Sequence, residues 1–256
     1  MKILLTNDDG IDAPGIQAAK KRLNEKHDVY LIAPRDEMSA SGHSITVRDP
    51  LRVERRGKNE SCNEWAVEGT PADCVKLGID QLLAFKPDLV VSGINNGANL
   101  GNDIFYSGTV AAAMEGMIMG VPSLAVSLNS FNTDDYSYAS EFTLQFCQQL
   151  WEEKLLQELW LLNVNIPAIP PEEIKGVSYT RMGRTDYSDI FHQRRDPRDR
   201  TYYWLAGNLV DRGRKEDTDI SLVKKGYITI TPLQIDLTDY RLMERMKEKK
   251  VGLPGS

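Results

Sequence analysis

The chain has 256 residues, 41% hydrophobic and 27% charged, which is ample for a large core. Its net charge of −6 and pI near 5.2 argue against a nucleic-acid polymer as partner, but not against a small anionic substrate in a locally positive site. Cys62, Cys74 and Cys147 lie far apart without zinc or C-x-x-C spacing, and no apolar run has the length of a signal or membrane segment, so a reducing, cytoplasmic setting with no membrane partner is expected.

Ile3, Leu4 and Leu5 form a short apolar run read as a buried strand. Asn7, Asp8, Asp9 and Gly10 follow at its carboxyl end, where ligands bind in open α/β sheets. Adjacent carboxylates repel unless a cation sits between them. A solvated or helix-capping loop and a cation site are both compatible with that pair alone. Pro14 suits a first helical turn, and Ile16, Ala19 and Leu23 share one face, with Lys20, Lys21 and Arg22 outward. Asp28 to Ala33 is the next strand, stopped by Pro34. This opening β-α-β unit predicts a parallel, doubly wound sheet. It lacks G-x-G-x-x-G, which argues against a dinucleotide site.

Pro34 to Ser44 is a polar loop placed beside Asp8 and Asp9. Ile45 to Arg56 and Glu64 to Val67 read as an extended hairpin excursion, and Ala72 to Leu83 as a helix broken at Lys86-Pro87. Asp88 to Val91 is a buried strand, followed by the loop Ser92 to Gly97. Ser107-Gly108-Thr109 introduces the helix Val110 to Met119, whose methionines read as core. Ser123 to Leu128 is a strand, Tyr136 to Trp151 a long helix, and Trp160 to Asn165 a strand. Pro167, Pro170 and Pro171 end the regular α/β region, with Trp151 and Trp160 read as packing residues.

Composition shifts at about residue 176. Arg181 to Arg200 is rich in arginine and aspartate and reads as a self-neutralised surface. Tyr202 to Leu205 and Tyr227 to Pro232 are strand candidates, and Arg241 to Lys250 a basic helical tail. The expected organisation is a three-layer α/β core over 1–176 with a mostly parallel sheet and hairpin excursions. An extension over 177–256, of hairpins, loops and a tail helix, is not an independent domain.

Three loops thus converge on one sheet edge, carrying Asp8 and Asp9, Ser39 and Ser41, and Asn95 and Asn96. Oxygen donors without histidine or thiolate suit Mg2+, Mn2+ or Ca2+ rather than Zn2+. Ser107-Gly108-Thr109 opens a helix, which offers an anion site or simple N-capping. His43 reads either as a general acid or as a hydrogen-bonded structural residue of the loop Ser41-Gly42-His43. A cation site and an anion pocket together point to phosphate-ester hydrolysis.

The blocks T-N-D-D-G-I-D-A-P-G-I at 6–16, A-P-R-D-E-M-S-A-S-G-H-S-I-T at 33–46, G-T-P-A-D-C-V at 69–75, V-S-G-I-N-N-G-A-N-L-G at 91–101 and Y-S-G-T-V-A-A-A-M-E-G at 106–116 resemble the SurE family of stationary-phase survival proteins. The resemblance implies a Rossmann-like core and a metal-dependent phosphatase of nucleoside 5′-monophosphates, also of 3′-monophosphates and short polyphosphate. It implies a C-terminal extension exchanged between subunits of a homodimer or homotetramer. It also implies one divalent cation on Asp8, Asp9, Ser39 and Asn95, with Asn96, Ser107, Gly108 and Thr109 lining the phosphate pocket. Asp8 and Asp9 are then the catalytic candidates, and Ser41, Gly42 and His43 belong to the loop closing the site. The rivals are a non-enzymatic nucleotide-binding regulator and a metal-dependent glycosyltransferase.

Overall fold

The computed structural model describes residues 1–57, 63–130, 133, 135–188, 191–205, 208–211 and 216–249; Cys62 and Lys250 lie outside them. The elements run β1 (Lys2–Thr6), α1 (Pro14–Leu23), β2 (Asp28–Pro34), β3 (Val53–Arg56), β4 (Glu64–Val67), α2 (Pro71–Leu77), β5 (Leu89–Asn96), α3 (Gly108–Ile118), β6 (Ser123–Asn129), α4 (Ser137–Glu152) and β7 (Leu161–Pro167). They continue with β8 (Val177–Tyr179), β9 (Thr185–Ser188), β10 (Phe191–Arg195), β11 (Thr201–Leu205), β12 (Asn208–Asp211), α5 (Asp219–Lys224), β13 (Ile228–Leu233) and α6 (Tyr240–Glu248).

Nine strands form one sheet in the order β3-β4-β2-β1-β5-β6-β7-β13-β8. From β4 to β7 all neighbours are parallel, while β3 and β13 run antiparallel to β4 and β7. Alternate residues serve opposite faces, the period-2 signature of a strand buried on both sides. Ile3 and Leu5 join Leu31, Val91 and Val126 beneath α1 and α4, whereas Leu4 joins Ile32, Val90 and Cys74 beneath α2 and α3. The result is three layers. Each fully buried Leu or Ile contributes about 1.5–3 kcal/mol.

Chain order reverses direction across the sheet between β1 and β5, because β1 leads outward to β2 while β5 leads to β6 on the other side. That is the topological switch point, where a crevice opens beyond the carboxyl ends of the strands. Gly15 lets α1 start close beneath β5: a Cβ there would lie 2.0 Å from the Ile94 carbonyl oxygen.

Several elements differ from the reading of the sequence. The strand expected to end at Val91 continues to Asn96 through a bulge between Ser92 and Asn95. Gly93, at φ 135°, supplies backbone that reads as loop in sequence. The helix expected over 72–83 ends as α-helix at Leu77 and finishes in a π turn over Gly78–Leu82. Within 45–56 only Val53–Arg56 pairs as strand. The sheet also does not stop at the prolines near 170: β13 and β8 extend it, so the composition break at 176 is not an edge of the sheet. Trp151 is 50% exposed rather than packed. In the arginine-rich run, Arg195 pairs with Asp199 at 2.7 Å and Arg200 with Asp196 at 2.8 Å, as the interleaved charges predict.

Candidate active site

Asp8 follows the end of β1 after one residue, the buried Asn7, and is only 4% exposed. Its Oδ1 accepts a short hydrogen bond from Thr109 Oγ1 in the first turn of α3. Burial raises its carboxyl above the usual aspartate range, against the Thr109 hydroxyl and the Gly108 and Thr109 amides. Asp9 is pushed up to about 6, first by burial and then by the charge of Asp8, while the Asn96 N–H opposes the shift and Glu37 adds to it. Asn96 N donates to Asp9 Oδ2 at 3.1 Å, so the ends of β1 and β5 are joined through the acid itself.

The loop after β2 is tied to this edge by backbone. Met38 N donates to the Asp8 carbonyl at 2.7 Å, and Gly42 N to the Tyr106 carbonyl at 3.0 Å. Ser39, next to Met38, is exposed and donates its hydroxyl to Glu37 Oε1 at 2.7 Å. Ser41 Oγ is buried and has no hydrogen-bond partner among the described residues. A Cβ on Gly108 would lie 2.9 Å from that oxygen and 2.9 Å from Asp8 Oδ2. Gly108 therefore lets the N-terminus of α3 pack directly against a carboxylate and a hydroxyl, where only a residue without a side chain fits. An unsatisfied buried hydroxyl costs about 1–3 kcal/mol, which a ligand can offset.

Asn95 Nδ2 donates to the Gly97 carbonyl at 2.7 Å. A carbonyl can only accept, so the amide orientation is fixed and Asn95 Oδ1 is left as an acceptor. The following loop is held by a buried amide network. Asn99 N donates to Asn165 Oδ1 at 2.8 Å, and Asn163 Nδ2 to the Asn99 carbonyl at 2.8 Å. Asp219, fully buried, takes N–H groups from Gly101 at 2.8 Å and Gly183 at 2.7 Å. Burial raises its carboxyl above the usual range despite these donors.

Ser107 is the N-cap of α3, accepting from Val110 N at 3.1 Å. Of the sequence-predicted set, direct hydrogen bonds link Asp8 with Thr109 and Asp9 with Asn96, while close packing links Asp8, Ser41 and Gly108. The Ser39 hydroxyl turns to Glu37 instead, and His43 turns away from the acids to Glu115 on α3, at 2.9 Å from Oε2. Glu115 and Asp73 were missed from sequence. Asp73 accepts from Thr46 N at 2.9 Å and closes a capping box with Thr70. The Thr70-x-x-Asp73 spacing carries that signal, and a lone acid among alanines and methionines on a buried helix marks Glu115.

These residues fit a hard divalent cation. The donors are two carboxylates with amide and hydroxyl oxygens, and the Asp9 carboxyl is held near 6 by the burial and like charge that a cation would relieve.

A family model described as "Survival protein SurE" matches residues 3–189. The chain belongs to the SurE family. A protein named 5′-nucleotidase SurE from Heliobacterium modesticaldum is 51% identical over 249 residues, covering 97% of this chain and 91% of its own. One of the same name from Desulforudis audaxviator is 48% identical over 260 residues, covering both chains fully. The crystal structure of SurE protein from Aquifex aeolicus is 39% identical, with a TM-score of 0.83 over 98% of this chain and 100% of that one. The SurE fold therefore extends through the strands beyond residue 176.

Proposed function

We propose that this chain is a divalent-metal-dependent phosphomonoesterase that hydrolyses nucleoside 5′-monophosphates to nucleoside and phosphate. The relatives' name, 5′-nucleotidase, supports the substrate class. The observation that carries the chemistry is the Thr109–Asp8 hydrogen bond, which joins an acidic strand end to the N-terminus of a helix. Anions favour that terminus and cations favour the paired carboxylates, so a phosphate and its counter-ion are served by one crevice.

Asp8, Asp9, Ser39 and Asn95 would hold the cation, which when bound supplies positive charge to a phosphoryl oxygen and acidifies water. Ser107, Gly108 and Thr109 at the positive end of α3, with Asn96, orient the remaining phosphoryl oxygens. The Asp8–Asp9 pair takes a proton from the attacking water as the new O–P bond forms. The bond from phosphorus to the ester oxygen breaks, and the acid pair passes that proton to the leaving nucleoside oxygen. Nucleoside 3′-monophosphates and short polyphosphate present the same terminal phosphate and belong to the proposed substrate range.

The exposed side chains of Phe191, Tyr203, Trp204 and Leu205 support a homodimer or homotetramer built through the extension. Cys74 and Cys147 are free, which agrees with a reducing, cytoplasmic compartment. Among the described residues no helix is long and apolar enough to cross a membrane. The test is phosphate release from AMP with added Mg2+ or Mn2+ and with EDTA. Release that needs the metal supports the reading; binding of AMP without release would make the protein a nucleotide sensor.

A further inference from the structure

Glu115 lies about two turns along α3 from Gly108, with its side chain 5% exposed. A carboxylate buried that far needs partners, and it has one from each of two other segments. Lys76 Nζ of α2 lies 2.6 Å from Oε1, and His43 Nε2 lies 2.9 Å from Oε2. A carboxylate accepts only, so His43 presents Nε2–H to it. His43 belongs to a corner that is held on both sides. Gly42 N reaches the Tyr106 carbonyl at 3.0 Å, and Thr70 Oγ1 donates to the Ser44 carbonyl at 2.7 Å. The next residue inward is Ser41, whose buried, unpartnered hydroxyl faces Gly108 beside Asp8.

We propose that Glu115 is a positioning residue: through His43 it fixes the Ser41–Gly42 corner so that the Ser41 hydroxyl donates to a phosphate seated at the start of α3, beside Asp8. The role rests on the phosphatase reading above. Lys76 neutralises Glu115 from the far side and takes no part in holding the corner.

A mutant cycle tests this in the full chain. His43→Ala, Glu115→Ala, the double variant, Ser41→Ala and Lys76→Met are compared by kcat for AMP with saturating Mn2+, and by Kd for inorganic phosphate. His43→Ala, Glu115→Ala and Ser41→Ala are each expected to lower kcat about tenfold or more and to weaken phosphate binding. The double variant is expected to stay within about twofold of the worse single, because both act through one contact. Lys76→Met keeps kcat within about twofold of the parent, which an effect of helix packing alone does not predict. If the alanine variants do not fold, His43→Leu and Glu115→Met, which fill the space but cannot make the contact, carry the same cycle. Losses that multiply in the double variant, an unchanged His43→Ala, or a Lys76→Met loss equal to that of Glu115→Ala would overturn the proposal. A parent without turnover sinks the phosphatase reading instead, and the phosphate Kd cycle then decides the positioning role alone.

Discussion

Thr109 gives its hydroxyl hydrogen to Asp8 Oδ1, joining the end of β1 to the start of α3 across 101 positions of chain. The bond does two things. It satisfies a carboxylate that is almost wholly buried, and it fixes the acid against the helix terminus that would receive phosphate. Thr109→Val keeps the shape and removes the donor. It is expected to cost about 1.5–3 kcal/mol of stability in denaturant unfolding, since the partner is charged. Activity should fall with it, and Thr109→Ser should restore both.

Gly108→Ala separates site from scaffold. The new methyl would sit 2.9 Å from both Asp8 Oδ2 and Ser41 Oγ. Phosphate release from AMP should fall by roughly a hundredfold, the scale of an ångström-sized misplacement. Far-UV circular dichroism should stay native-like. A variant that turns over at the parental rate would show that phosphate does not use this space.

The pH dependence of stability follows from Glu115. Hydrogen bonding by His43, then the hydrogen bond and charge of Lys76, holds its carboxyl below the usual glutamate range against burial. A depressed folded pKa means stability that is present above the unfolded value, about 4.3, and lost as pH falls through the lower folded value. The melting-temperature gap between the parent and Glu115→Gln should therefore be wide at pH 7 and narrow progressively as pH falls below about 4. A gap that is constant from pH 7 to 3 would deny the ionic contribution.

The opening strands, the helices α1, α3 and α4 and the acidic edge were legible because each is encoded locally. Ile3-Leu4-Leu5 fills both faces of β1, and Asp8-Asp9 follows after only Thr6 and Asn7. What was not legible depends on partners distant in sequence. Tyr227 to Pro232 reads as a strand, but nothing local tells that strand to insert between β7 and β8. The Gly93 bulge hides the last residues of β5 behind loop-like sequence, so Asn95 and Asn96 looked like loop when they end a strand. The partners of His43 and Ser39 were equally invisible, because a hydroxyl or imidazole in a polar loop can turn either way.

Asp219 gives a prediction about the extension. Its two oxygens take N–H groups from Gly101 and Gly183, so one buried carboxylate ties the loop after β5 to the chain beyond β8. Asp219→Ala leaves those amides without acceptors and should destabilise the fold by about 2–3 kcal/mol. Amide hydrogen exchange at Gly101 and Gly183 should quicken more than at β1. Uniform exchange across the chain would mean that Asp219 holds the whole fold rather than this junction.

Asp9 tests the central claim most directly. Asp9→Asn keeps an acceptor for the Asn96 N–H and removes one of the two charges at the sheet edge. Phosphate release from AMP, measured for parent and variant with Mg2+, Mn2+ and EDTA, should be metal-dependent in the parent and at least about a hundredfold lower in the variant, whose melting temperature in EDTA should be no lower than the parent's because a disfavoured charge is removed. Full activity in Asp9→Asn, or release by the parent that EDTA does not touch, would contradict the account.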